Sequence, residues 1–217
     1  MSATDPTRIE VAECLVVHSA RHQKEVWSEI AGLRELLTAS GGISMEKGLH
    51  WNFEFRHAVE DLRSALEYGA YDAYENLVCA SHPPGTEHRD VHFPVVDSEP
   101  EFKGIMSITG KKPVWTFHDH GADIEAIFLS AQPFSPSRDT WLRELHDIWN
   151  EGKHKNANYF GTRIRFVPNP DPGSSWPTIP RQELVISKAD RPLQDFFAVA
   201  TRETSRVIKS LARVLYQ

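Results

Sequence analysis

Residues 44 to 79 read SMEKGLHWNFEFRHAVEDLRSALEYGAYDAYENLVC. Within them Trp51, Phe55, Ala58, Leu62, Ala65 or Leu66, Ala70, Ala73 and Leu77 recur at intervals alternating between three and four. That spacing puts apolar side chains on one helix face, in a near-heptad seam suited to antiparallel helix packing. One long helix is expected from about Ser44 to Cys79. Gly69 costs this helix about 1 kcal/mol relative to alanine, but its small size lets a neighbouring helix come close.

The preceding segment has a similar stripe: Ile9, Ala12, Val16, Ala20, Val26 or Trp27, Ile30, Leu33 and Leu37, with one longer gap. Thr4 or Asp5 can cap this helix, and Pro6 fits a first helical turn. Gly41-Gly42 ends it, because glycine readily adopts the left-handed conformation at a helix C-terminus. Two long helices joined by a short turn form a hairpin.

Residues 81 to 118 change character. SHPPGTEH carries a Pro-Pro-Gly turn signal, and Pro94, Pro100 and Pro113 follow. This reads as a long connection with one short extended piece, Val91 to Val96. A short helix is expected over Ala122 to Ala131, with Ile124, Ile127 and Phe128 inward. Another is expected over Arg138 to Lys155, capped by Ser137 or Asp139, burying Trp141, Leu145, Ile148, Trp149 and Gly152. The period then shifts to two: Thr162 to Val167 alternates, with Ile164 and Phe166 on one side and Arg163 and Arg165 on the other. With Glu183 to Ser187 this predicts a small antiparallel hairpin. A last helix is expected over Leu193 to Tyr216, with Phe196 or Phe197, Ala200, Thr204, Val207 or Ile208, Leu211 and Leu215 inward. The expected fold is mainly α: an antiparallel helical bundle of about five helices with a small C-terminal β-hairpin insertion. A single domain spans 1–217, with 81–120 as a long connecting loop and 160–188 as the hairpin insertion.

The chain has 217 residues with 24 basic and 30 acidic side chains, a formal charge of −6. The charge is uneven: residues 1–140 hold 12 basic and 22 acidic side chains, and residues 141–217 hold 12 and 8. The acidic total speaks against a general nucleic-acid coat, whereas the basic C-terminal part keeps a local anionic ligand open. Cys14 and Cys79 cannot make a disulfide framework, which suits a reduced, cytoplasmic protein. No apolar run reaches the roughly 18 residues of a membrane helix, and no secretory signal is visible.

Two stretches, Asp61 to Tyr68 (DLRSALEY) and Leu145 to His154 (LHDIWNEGKH), bracket Phe93-Pro94-Val95, Phe102 and Ala131-Gln132-Pro133-Phe134. In that order they resemble a family of uncharacterised bacterial proteins. That family shows Leu-Arg-Ser-Ala-Leu-Asp-His, then Phe-Pro-Ile, Leu-Gln-Pro-Tyr and Asn-x-x-Lys-His-Arg. The resemblance covers roughly residues 50 to 160 and implies a HEPN-like helical bundle, the fold of many prokaryotic ribonucleases, toxins and nucleotide-binding proteins. The chain departs from the pattern at Glu67-Tyr68 and at Lys155. It also lacks the HEPN nuclease spacing of an Arg, four to six residues and a His, before each of its eleven histidines.

The resemblance supplies Arg63, and a catalytic reading combines it with Asn150 and His154. The latter two are four apart on one helix face near its C-terminus. His154 would transfer a proton, favoured in its charged form by the helix dipole and opposed by Lys153. Asn150 would orient it, and Arg63 would stabilise phosphate charge. The structural alternative is a polar C-terminal turn. Arg56, Glu60, Arg63 and Glu67 read either as a surface ion-pair ladder or, if Arg63 turns inward, as a buried arginine whose partner is Glu67. Lys153, Lys155, Arg163 and Arg165 are the candidate anion-binding residues.

His118-Asp119-His120, with Asp123 and His92 as possible additions, and Cys79-x-x-His82 have metal-like composition without a full ligand spacing, so no metal site and no cofactor is assigned. The expected function is a non-catalytic binding or dimerising module with RNA or a nucleotide as ligand. The alternative is a metal-independent ribonuclease of a toxin or defence system; a metal-dependent hydrolase built on the His118 region ranks third.

Overall fold

A computed structural model describes residues 6–40, 45–77, 91–106, 121–135, 140–154, 160–168, 178–186 and 191–217. Within these, the side chains of 32–40, 45–46, 106, 152–154 and both strands are outside the described residues. The chain is mainly helical. Its elements are α1 (Arg8–Ser40), α2 (Met45–Leu77), α3 (Glu99–Met106), α4 (Ala122–Ala131), α5 (Trp141–His154), β1 (Phe160–Pro168), β2 (Thr178–Ile186) and α6 (Leu193–Leu215).

Helix α1 starts later than its sequence suggested. Thr4 and Asp5 lie outside the described residues, and the capping is done by Thr7. Its N–H donates to Glu10 Oε2 at 2.7 Å, and its Oγ1 accepts from the Glu10 N–H at 3.2 Å. This reciprocal box satisfies two N-terminal donors and leaves Pro6 outside the helix.

The gap in the α1 stripe has a polar explanation. Ala20, expected inside, is exposed. Ser19 and Gln23 are buried instead. Ser19 Oγ donates to the Ala58 carbonyl at 2.8 Å, and Gln23 Nε2 donates to Ser19 Oγ at 3.0 Å and Thr201 Oγ1 at 2.9 Å. Buried polar atoms must be paired, and this chain pairs them while tying α1 to both α2 and α6.

The α2 stripe is buried from Trp51 to Ala73, with Leu77 half-buried. Phe55 sits at its centre, 5.2 Å from the Trp27 ring and stacked 5.2 Å from Phe197. Helix α6 buries Phe196, Phe197, Ala200, Thr204, Val207, Ile208 and Leu211, the face expected. It packs on α1, α2, α4 and α5. The close approach expected at Gly69 is to α6: a Cβ there would stand 2.8 Å from Ile208 Cδ1 and 2.9 Å from Leu211 Cδ1.

The connection between α2 and α4 is not wholly loop. Residues 99–106 form helix α3, so the described part has six helices where about five were expected. Its proline, Pro100, sits in the first turn, where its missing N–H costs nothing. The extended piece 91–96 is present, with Val91, Phe93 and Val96 buried. Helix α4 has the expected bounds; α5 begins at Trp141 rather than Arg138. The backbones of β1 and β2 pair antiparallel in a register that opposes Arg163 to Glu183 and Arg165 to Arg181.

Filling the contact at Gly69 with a large side chain forces α6 outward. Gly69→Leu is expected to lower unfolding free energy by about 1–3 kcal/mol, as overpacking does; chemical denaturation measures it. A variant as stable as wild type would show that the two helices are not held at this distance.

Candidate functional site

Arg63 points inward from α2 and is 3% exposed. Of the two readings of the Arg56–Glu67 series, each half follows one. Arg56 and Glu60 make a half-exposed surface pair at 2.9 Å. Arg63, buried, pairs with the partly exposed Glu67 one helical turn further on. A guanidinium cannot shed its charge at physiological pH, so burial demands partners. Burial pushes the Arg63 pKa below its ordinary value and Glu67 pulls it back.

The pair grips the extended segment between α2 and α3. Arg63 Nη2 donates to the Phe93 carbonyl at 3.1 Å, and the Phe93 N–H donates to Glu67 Oε2 at 2.8 Å. One residue's donor and acceptor are thereby both satisfied by one ion pair, as a neighbouring strand would satisfy them. Gln132, at the C-terminus of α4, does the same further along. Its Nε2 donates to the Pro94 and Phe128 carbonyls at 2.9 and 3.0 Å, and its Oε1 accepts from the Val96 N–H at 3.1 Å. Phe93 then packs edge-on to Phe128 at 4.9 Å.

On the other side Arg63 meets α5. Its guanidinium carbon lies 5.2 Å from the centre of the Trp149 ring, a cation–π contact. His146 lies near enough that the Arg63 charge opposes its protonation. Desolvation, then Arg63, lowers the His146 pKa from 6.5 to about 4. Asn150 Nδ2 donates to His146 Nε2 at 2.8 Å, so the neutral ring carries its proton on Nδ1. Four buried polar atoms here have no hydrogen-bond partner: Arg63 Nε and Nη1, Glu67 Oε1 and His146 Nδ1. Glu67 Oε1 faces Arg63 as a charge only. Three of the four are donors, two on α2 and one on α5.

The structure brings Arg63 and Asn150 together through His146, which the sequence reading passed over. The signal was legible: His146 stands one helical turn before Asn150, inside the same LHDIWNEGKH stretch. Asn150 is placed to orient His146. The side chains of His154, Lys153, Lys155, Arg163 and Arg165 lie outside the described residues, as do His118 to His120, Cys79 and His82. His92 is placed beside Glu67 Oε2 at 3.3 Å, and Asp123 is exposed on α4. Side chains of metal-ligating type approach one another on α1 and α2, at His18, His22, Glu54, His57 and Asp61. No family model matches the chain, and no curated protein or solved structure is similar to it.

Removing one member of the buried pair leaves the other charge without compensation. Glu67→Gln is expected to cost about 3–5 kcal/mol of unfolding free energy, against under 1 kcal/mol for Glu60→Gln on the surface. Equal losses in the two variants, measured by chemical denaturation, would contradict the burial of the charge.

A second expectation concerns pH. The unfolded chain protonates His146 near its ordinary pKa of about 6.5, whereas the folded chain resists protonation down to about 4. Between these values the unfolded state binds more protons, so the His146 contribution to stability is complete above the upper value and is lost as pH falls through the window. His146→Phe removes that dependence. The stability of wild type relative to the variant should fall as pH drops through the window; parallel profiles would contradict it.

Proposed function

We propose that this protein is a HEPN-like antiparallel helical bundle, one domain with a β-hairpin insertion before its last helix. It acts as a non-catalytic binding module for an anionic ligand, RNA or a nucleotide. One observation carries the binding reading: the unpaired N–H groups of Arg63 and His146 on the α2–α5 seam. Such donors cost free energy wherever they stay unmatched, and a phosphate oxygen matches them. The motif stretches that carry the family resemblance also meet here, Arg63 and Gln132 both holding the Phe93–Val96 segment. The C-terminal excess of basic residues, Lys153, Lys155, Arg163 and Arg165 among them, supplies the wider attraction for an anion.

Two features argue against cleavage. His146, with its pKa lowered to about 4, is neutral at physiological pH and lacks the imidazolium proton that a general acid gives a leaving group. The Arg63 charge is already answered by Glu67 and the Phe93 carbonyl, which leaves N–H groups for hydrogen bonding rather than an unpaired cation for the charge of a cleavage transition state. Self-association belongs to the same reading. Leu49 and Phe53, one turn apart on α2, stand 43% and 55% exposed. A reducing, cytoplasmic setting fits Cys14, which is free and exposed. Among the described residues no helix is long and apolar enough to cross a membrane.

The test is a fluorescence titration with a labelled single-stranded RNA and with a mononucleotide, paired with a cleavage assay on the same RNA. Binding is expected without cleavage, weakening with salt as phosphate contacts do, and weakening further in Asn150→Ala. Cleavage by wild type that disappears in His154→Ala or His146→Ala, with the fold intact, would establish the ribonuclease alternative instead.

A further inference from the structure

Helices α1 and α2 carry a second polar group, built from side chains the binding reading does not use. His18 and His22 are four apart on α1, and Glu54, His57 and Asp61 follow at three and four on α2. Each spacing keeps its side chains on one helix face. The faces meet: His18 Nδ1 lies 2.8 Å from Asp61 Oδ2, and His22 Nδ1 lies 2.5 Å from Glu54 Oε2. The His18 and His22 rings stand edge to face at 4.4 Å, and His57 lies 5.6 Å from His22. Ligand atoms of His18, His22 and Asp61 lie within 4.8 Å of one another, as do those of His22, Glu54 and His57.

Two His–carboxylate pairs alone would not require the imidazoles to crowd together, since protonated rings at that distance repel. Neutral rings can instead each offer one nitrogen to a shared ion. We propose that His18, His22 and Asp61 bind one divalent ion of the zinc class and that Glu54 positions His22. Zinc accepts imidazole nitrogen and carboxylate oxygen at about 2.0–2.2 Å and needs four ligands. Two imidazoles and one carboxylate supply three, and water completes the set. The ion takes the place of the proton between His18 Nδ1 and Asp61 Oδ2, and the neutral His18 ring then carries that proton on Nε2. Glu54 accepts the Nδ1 proton of His22, which fixes the tautomer and frees Nε2 for the metal, the arrangement found around ligating histidines generally. His22, Glu54 and Asp61 are each less than 20% exposed in their side chains, so they are held in place. His18 is 55% exposed and leaves the site open to solvent.

The test is calorimetric titration of the metal-stripped full chain with zinc chloride, with magnesium chloride as the comparison. One equivalent of zinc is expected at micromolar concentration or below, and no magnesium. His22→Ala, which removes a residue common to both triads, should abolish binding; His18→Ala should weaken it at least tenfold or so, and Glu54→Gln about 10–100-fold. His57→Ala should leave it unchanged. His18 is exposed, so its variant keeps the fold, which circular dichroism verifies. Zinc should also raise the melting temperature of wild type and not that of His18→Ala. Zinc that fails to saturate, or saturates equally in His22→Ala, overturns the site. Loss in His57→Ala with none in His18→Ala overturns the ligand assignment.

Discussion

A charged guanidinium inside a helical protein has to be answered by its surroundings, and Arg63 organises much of this chain through that need. Glu67, one turn away, supplies the countercharge. The geometry of the pair leaves one donor and one carboxylate oxygen for the Phe93 peptide, which has no strand beside it among the described residues. Backbone polar groups in a buried segment must find partners, and here side chains supply them. The extended segment is thus anchored at Phe93 by the pair and at Pro94 and Val96 by Gln132, so α3 begins from a fixed point and the C-terminus of α4 is tied to the same segment. Phe102 of α3 and Phe128 of α4 are both fully buried, Phe128 against the Phe93 ring.

The same constraint bears on function. Arg63 is engaged on two sides by Glu67 and Phe93 and on a third by Trp149, which makes it a structural centre before it is anything else. What it leaves over are N–H groups, shared with a histidine that burial and Arg63 keep neutral. Hydrogen bonding rather than proton transfer is the chemistry such a set offers. The α1–α2 histidines are of a different kind, set among carboxylates near the surface. Zinc and an anion would therefore engage different residues.

Helix periodicity made the long elements legible, because an amphipathic stripe is a direct consequence of burying one face. The stripes of α2 and α6 were readable almost residue by residue. Helix α3 was missed because its eight residues are short of a full stripe and include a proline, with Phe102 and Ile105 the sizeable inward side chains among those described. Ser19 and Gln23 looked like a gap, since polar residues give no signal of burial until their partners on α2 and α6 are known. Arg63 and Glu67 were legible as a pair, but the inward orientation of the pair was one of two readings. His146 and the His18–Asp61 group depended on contacts between helices, which spacing within one helix cannot supply. Each left a trace in the form of a four-residue interval.

The most direct measurement is native-state hydrogen exchange at the Phe93 amide. If the Arg63–Glu67 pair fixes this segment, that amide exchanges as slowly as those of the α2 core around Leu62 and Leu66, through opening of the whole domain. Exchange at Phe93 at the rate of a free loop, with α2 still protected, would contradict the account.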